Sequence, residues 1–122
     1  MKTVLTIAAI AVGLALPSDA KAQDFRPVTD KAEFLSLIGG RSLTNRLYNL
    51  SLDVVPSGQI AGTALGWDVT GTWSWQNGYF CREMAWGGDP IPYNCQLVEV
   101  AGSDMRFTTD QGAGESASFR LR

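Results

Sequence analysis

Residues Trp67–Trp86 read WDVTGTWSWQNGYFCREMAW, and they carry the pattern of two strands joined by a tight turn. Apolar or small residues occupy every second position from Trp67 to Trp75, and this period of two is typical of a half-buried strand. Asn77-Gly78 follows directly. This dipeptide is a strong signal for a β-hairpin, because both central residues of a type I′ turn need a positive φ. The segment therefore predicts an antiparallel hairpin.

Further strands with the same period are expected on both sides of this hairpin, at Tyr48–Val54, Ile60–Ala64, Tyr93–Ala101, Asp104–Asp110 and Ser116–Arg122. Together with the hairpin they make seven strands, or eight if Arg41–Asn45 also forms one. Successive hairpins build an up-and-down antiparallel sheet, and closing that sheet into a small barrel removes its edges. The sequence therefore predicts a mainly β fold, a small antiparallel barrel, with a two-sheet sandwich as the alternative.

One short helix is expected at Lys31–Ile38, ahead of the strands. Asp30 and Glu33 have the spacing of a capping box, and Gly39-Gly40 is a helix stop signal. A helix of this length needs packing against another element. We therefore expect it to plug one end of the barrel or to lie across an open side.

Residues 1–22 predict a secretory signal peptide. Lys2 precedes the apolar stretch Val4–Leu16, which is shorter than the roughly 20 residues of a transmembrane helix, and an Ala-Lys-Ala cleavage motif ends at Ala22. Residues 23–122 are then a single domain. We expect it in the periplasm or secreted into the medium, with no membrane span after cleavage.

Composition excludes several classes of function. The 10 Lys and Arg residues do not outnumber the 12 Asp and Glu residues, so nucleic acid is not an expected partner. The chain has no His, which excludes Ser-His-Asp and Cys-His catalysis and His-based metal sites. Two cysteines cannot form a four-thiolate zinc site, and no dinucleotide fingerprint is present. We therefore expect a non-enzymatic protein with no catalytic residue, metal or cofactor.

The two cysteines, Cys81 and Cys95, are predicted to form a cross-strand disulfide. They lie at equal distances from Gly88, inside a connection expected to form a longer loop at Gly87–Pro92. An oxidising compartment favours the bond.

This pairing and the Asn-Gly turn place Arg82, Asn94 and Gln96 on the interior face of the sheet, together with Trp73 and Trp75. A buried arginine without a partner costs several kcal/mol. Arg82 must therefore reach solvent, stack on Trp73, meet a carboxylate or hold an anionic ligand. We predict that Arg82, Asn94 and Gln96 anchor a small anionic or amphipathic ligand between the walls formed by Trp73 and Trp75. A packed lumen with Arg82 extending to the barrel mouth is the alternative, and a β-bulge that reversed the register would move Arg82 outside.

Three segments, GTWSW at 71–75, GYFCR at 78–82 and NCQLV at 94–98, resemble a group of small exported alphaproteobacterial proteins of unknown function. The resemblance implies a lipocalin-like barrel and no particular activity. The architecture is also similar to that of periplasmic inhibitors of secreted proteases, in which an arm enters the protease cleft. This fold-level analogy supplies a second hypothesis, a protein-binding module that acts through an arm at 23–29 or through the loop at 87–92.

Overall fold

The computed structural model describes residues 24–122, so the predicted signal peptide at 1–22 lies outside the described residues. Its elements in chain order are β1 (Arg26–Val28), α1 (Lys31–Ile38), β2 (Leu43–Asn45), β3 (Leu50–Val54), β4 (Gln59–Ala64), β5 (Trp67–Gln76), β6 (Tyr79–Trp86), β7 (Asp89–Ala101), β8 (Asp104–Thr108), a 3-10 turn (Asp110–Gly112) and β9 (Ser116–Leu121). The helix occupies the predicted residues. No helix within residues 24–122 is long and apolar enough to cross a bilayer.

The strands form a closed antiparallel barrel of eight strands, β2 to β9, as the alternating pattern predicted. Each of these strands pairs with the next one along the chain, and β9 pairs back with β2, so the sandwich alternative is excluded. This closing seam is short, with the pairs Leu43–Leu121 and Thr44–Arg120. The Asn45 side chain extends the seam by donating to the carbonyl of Ser118 at 3.0 Å.

The segment expected as a free arm is instead a strand of the sheet. β1 pairs antiparallel with β7, with Val28 opposite Val98, at the part of β7 that β6 does not reach. Val28 is fully buried, and the Arg26 guanidinium lies 2.6 Å from the Glu33 carboxylate on α1. The expectation of an arm that is free to enter a partner was therefore wrong for Arg26–Val28, because its apolar residue is part of the core.

Helix α1 closes one end of the barrel through Phe34. The Phe34 ring is buried, and its centroid lies 5.5 Å from that of Trp73, 5.0 Å from that of Trp75 and 5.4 Å from that of Phe80. The predicted capping box does not form, since the Asp30 side chain makes no cap hydrogen bond. Glu33 is instead engaged by the ion pair with β1.

The predicted register is confirmed around the disulfide. Trp73 lies opposite Arg82, Arg82 lies opposite Asn94, and Cys81 is bonded to Cys95. The pairing shifts by one residue between Arg82 and Met84, which is a β-bulge.

This bulge explains why the expectation of a long loop at Gly87–Pro92 was wrong. The turn consists of Gly87 and Gly88 alone, and β7 begins at Asp89. The bulge absorbs the extra residue by setting Pro92 and Tyr93 opposite a single residue of β6. The connection named in the second hypothesis is therefore the turn at Gly87 and Gly88, followed by a strand.

The connections of an up-and-down barrel alternate between its two ends. α1 covers the end that carries the Asn77-Gly78 turn, where an added Cβ on Gly78 would lie 3.5 Å from the carbonyl of Thr29. The connections at 46–49, 65–66, 87–88 and 109–115 lie at the opposite end, which we call the distal end.

Candidate functional site

The barrel lumen holds a cavity of about 300 Å³. Its lining is mostly apolar, with side chains from β2, β3, β4, β6, β8 and β9, namely Leu43, Leu52, Val54, Ile60, Phe80, Met84, Phe107, Ala117 and Phe119. Its polar lining residues are Arg82, Gln96, Thr109, Glu115 and Ser116. Glu115, Ser116 and Ala117 are exposed to solvent, so the cavity opens beside the first half of β9, towards the distal end.

Arg82 is the buried charge of this cavity. It is 7% exposed, and its Nη1 donates to the carbonyl of Pro92 at 2.6 Å. Its Nε is buried and has no hydrogen-bond partner, and no other buried side-chain nitrogen or oxygen of the described residues is in that position. Burial lowers the pKa of the Arg82 guanidinium from its ordinary value. An arginine nevertheless stays protonated in a protein, so the cavity wall carries a positive charge.

Two of the four environments expected for Arg82 are not found. The residue keeps 7% of its surface exposed and lines the cavity that opens at the distal end, so a limited contact with solvent remains. It does not stack on Trp73, whose ring is approached by Lys31 Nζ, 5.8 Å from the centroid. No carboxylate within residues 24–122 forms an ion pair with it.

The β-bulge supports this arrangement rather than reversing it. It lies between Arg82 and the turn, so the pairing of Arg82 with Asn94 and its interior position are kept. The bulge also places the carbonyl of Pro92 within reach of Nη1. Bulges commonly re-aim groups next to functional sites. Here the bulge provides a hydrogen-bond acceptor for Arg82 Nη1, whereas Arg82 Nε has no acceptor.

Gln96 is the second polar group of the inner wall. It is 9% exposed and borders the cavity, and its side-chain amide makes no hydrogen bond with any residue of the described chain. An amide of this kind can donate and accept. The Gln96 amide is therefore free to complement the guanidinium of Arg82 in holding a polar head group.

Asn94 does not border the cavity. Its Nδ2 donates to Asp110 Oδ1 at 2.8 Å, and its Oδ1 accepts from the Asp110 backbone N–H at 2.9 Å. Asp110 and Gln111 both have a φ of 56°. Asn94 thus fixes a strained turn at the distal end. It was predicted as a ligand contact, but it does not line the cavity.

Trp73 and Trp75 also lie away from the cavity lining, contrary to the expectation that they form its walls. Both indoles pack under Phe34 at the α1 end. The Trp73 N–H donates to the carbonyl of Val55 at 2.8 Å, and the Trp75 N–H donates to that of Thr29 at 3.2 Å. The interior face is therefore divided between a packed layer beneath the helix and an open layer beyond it.

Sequence reasoning missed Glu115 at the cavity mouth. Its backbone N–H donates to Thr109 Oγ1 at 3.0 Å and its carbonyl accepts from the Thr109 N–H at 3.0 Å, so the connection between β8 and β9 is closed on itself. No periodic pattern marks this connection. The part of the apolar wall on β3 was detectable through the alternation of Leu50, Leu52 and Val54.

Comparison of the chain with protein-family models, with curated proteins and with solved structures gives no match. No aligned sequence therefore assigns a role to Arg82 or Gln96.

Proposed function

We propose that this protein is an exported, lipocalin-like barrel that binds a small amphipathic anion in its lumen and catalyses no reaction. One observation carries the proposal: the buried Nε of Arg82 has no partner and the residue borders an apolar cavity of about 300 Å³. Burying a charge that has no ionic partner among residues 24–122 is costly, and a bound anion would offset that cost. The predicted signal peptide and the Cys81–Cys95 disulfide support a location in the periplasm or the medium.

The cavity indicates how such a ligand would sit. Its anionic head would accept hydrogen bonds from Arg82 Nε and from the Gln96 amide, in a site where little water competes. Its apolar part would contact the wall that includes Leu52 and Ile60. A volume of about 300 Å³ is at the lower end of the range for small-molecule sites, which favours a small ligand.

Glu115 restricts the charge of the ligand. The residue lines the exposed side of the same cavity, and its negative charge would repel a second negative group there. A single anionic head on an apolar body therefore fits the lumen better than a dianion. Straight-chain monocarboxylates are the simplest probes with this chemistry.

A chain-length series tests the proposal. Hexanoate to dodecanoate are titrated calorimetrically into the purified protein, together with the primary alcohols of equal length. Each added methylene should tighten binding about fourfold, from roughly 0.8 kcal/mol per buried CH₂, until the cavity is full. Each carboxylate should bind more tightly than its alcohol. No binding by any chain length would contradict the proposal.

Arg82→Met tests which residue holds the head group. The variant should lose the preference for carboxylate over alcohol and keep the dependence on chain length. Arg41→Met is the matched control, because it removes an exposed arginine that does not border the cavity. Carboxylate binding to Arg82→Met at the parent's affinity would rule out Arg82 as the anchor.

The exported location has its own test. The intact mass of the protein isolated from its native cells should correspond to a chain that starts at Gln23. A mass that retains residues 1–22 would contradict export by signal cleavage, and it would leave the ligand experiments unaffected.

A further inference from the structure

Two exposed tryptophans border a cleft at the distal end of the barrel, where β5 begins and β6 ends. Trp67 is 62% exposed and Trp86 is 37% exposed. They line this cleft of about 260 Å³ together with Gly87 and Asp89. Exposed tryptophans are unusual on a small domain and mark interaction sites when they share one surface.

The backbone holds this cleft in place. The Trp86 indole N–H donates to the carbonyl of Ala64 at 2.9 Å, so the ring is fixed at its polar edge. The Gly87 N–H donates to the carbonyl of Asp68 at 2.7 Å. Gly87 lies flat against Trp67, since an added Cβ would come within 3.2 Å of that ring. A larger residue at position 87 would therefore place its side chain against the Trp67 ring, inside the cleft.

The lining of the cleft contains one carboxylate and no positively charged residue. Indole faces carry the negative side of the ring quadrupole, and Asp89 adds a carboxylate that forms no ion pair with the described residues. The two cation–π contacts found within residues 24–122 involve Trp73 and Phe25, so no cation of these residues covers Trp67 or Trp86.

We propose that Trp67, Trp86 and Asp89 form a binding site for a methylated ammonium group. Such a group is attracted by indole faces and by a carboxylate, and it brings no N–H donors that need further acceptors. A primary ammonium or a guanidinium would bring three to five donors to one carboxylate. The site is separate from the lumen, because none of its residues lines the cavity that contains Arg82.

Nuclear magnetic resonance of the intact protein at low ionic strength tests this site with tetramethylammonium and choline. The indole N–H signals of Trp67 and Trp86 should shift saturably, while those of Trp73 and Trp75 should stay in place. The neutral isostere 3,3-dimethylbutanol should bind at least about threefold more weakly, the factor expected from an exposed cation–π contact. Dihexanoylphosphatidylcholine below its micellar concentration distinguishes a lipid head group, if it binds more tightly than choline, from a free solute.

Trp67→Ala and Asp89→Asn should each weaken choline binding at least about threefold. Tyr93→Ala is the matched control, because Tyr93 is an aromatic residue that is 54% exposed and lies outside the cleft. Arg82→Met should bind choline like the parent, which separates this site from the lumen. Equal binding of choline and its neutral isostere, or a response to methyl glucoside without one to choline, would overturn the proposal.

Discussion

At the scale of single residues, the buried charge of Arg82 lowers the stability of the folded protein. Replacing a buried, incompletely partnered charge by an apolar residue of similar volume is commonly neutral or stabilising by about 1–4 kcal/mol. We therefore expect Arg82→Met to raise the free energy of unfolding within that range, as measured by urea denaturation. A clear loss of stability would mean that the bond to the carbonyl of Pro92 outweighs the cost of burial.

The pH dependence of this gain has a definite sign. Because burial lowers the pKa of the Arg82 guanidinium, the folded state holds the proton less tightly than the unfolded state does. The resulting destabilisation is present at every pH below the folded pKa and disappears only as the pH rises towards the unfolded value. Arg82→Met should therefore show the same gain at pH 5 and at pH 8. A gain that changed between these two values would point to a different titrating group.

At the scale of the elements, the two-residue turns Leu65-Gly66 and Asn77-Gly78 differ only in their first residue. Leu65 and Asn77 both have a φ of 52°, and each precedes a glycine with positive φ. Asn tolerates this conformation, whereas an ordinary side chain costs roughly 1–2 kcal/mol there. Leu65→Asn should therefore raise the free energy of unfolding by about 1 kcal/mol.

The reverse substitution is the matched control. Asn77→Leu should lower the free energy of unfolding by about the same amount, about 1 kcal/mol. Leu65 is 52% exposed, so its replacement removes little apolar burial. Urea denaturation of both variants gives the comparison, and a loss of stability in Leu65→Asn would show that Leu65 makes contacts worth more than its strain.

β1 should contribute to stability through its one buried side chain. Val28→Ala removes two methyl groups from a fully buried position and should cost about 2 kcal/mol. Arg26→Ala, which breaks a solvent-exposed ion pair on the same strand, should cost less than about 0.5 kcal/mol. Thermal and urea denaturation measure both values. Equal, small effects would mean that β1 detaches easily from β7.

At the scale of the whole molecule, the disulfide secures the register that places the site. Cys81 and Cys95 are 14 residues apart and adjoin the Arg82–Asn94 pair. A closed loop of this length stabilises by about 3 kcal/mol. Reduction, or the double variant Cys81→Ala with Cys95→Ala, should lower the free energy of unfolding by about that amount. Unchanged stability in the reduced protein would show that the sheet alone fixes the register.

The architecture and the central register were predictable because they depend on local signals. Asn77-Gly78 and the two cysteines fix the pairing of β5, β6 and β7 without reference to the rest of the chain. The bulge at Pro92 was not predictable, since Pro90 and Pro92 suggested a loop where the structure has an irregular strand.

The candidate site was predictable in part, for a different reason. Alternation identifies the interior face, and Arg82 and Gln96 lie on it. Alternation does not show the level of a residue along the barrel axis. Trp73 and Trp75 therefore shared the face of Arg82 but packed beneath Phe34. The position of the helix along that axis is set by tertiary packing, which the period of two does not contain.

The short seam between β2 and β9 has a consequence for folding during synthesis. All other neighbouring strands of the barrel are consecutive in the chain, so they can pair while the ribosome is still at work. The seam joins the first and last strands of the barrel, and pairing between segments so far apart in the sequence forms slowly. The barrel cannot close before β9 has been synthesised, and until then its two outer edges are free to pair with other chains.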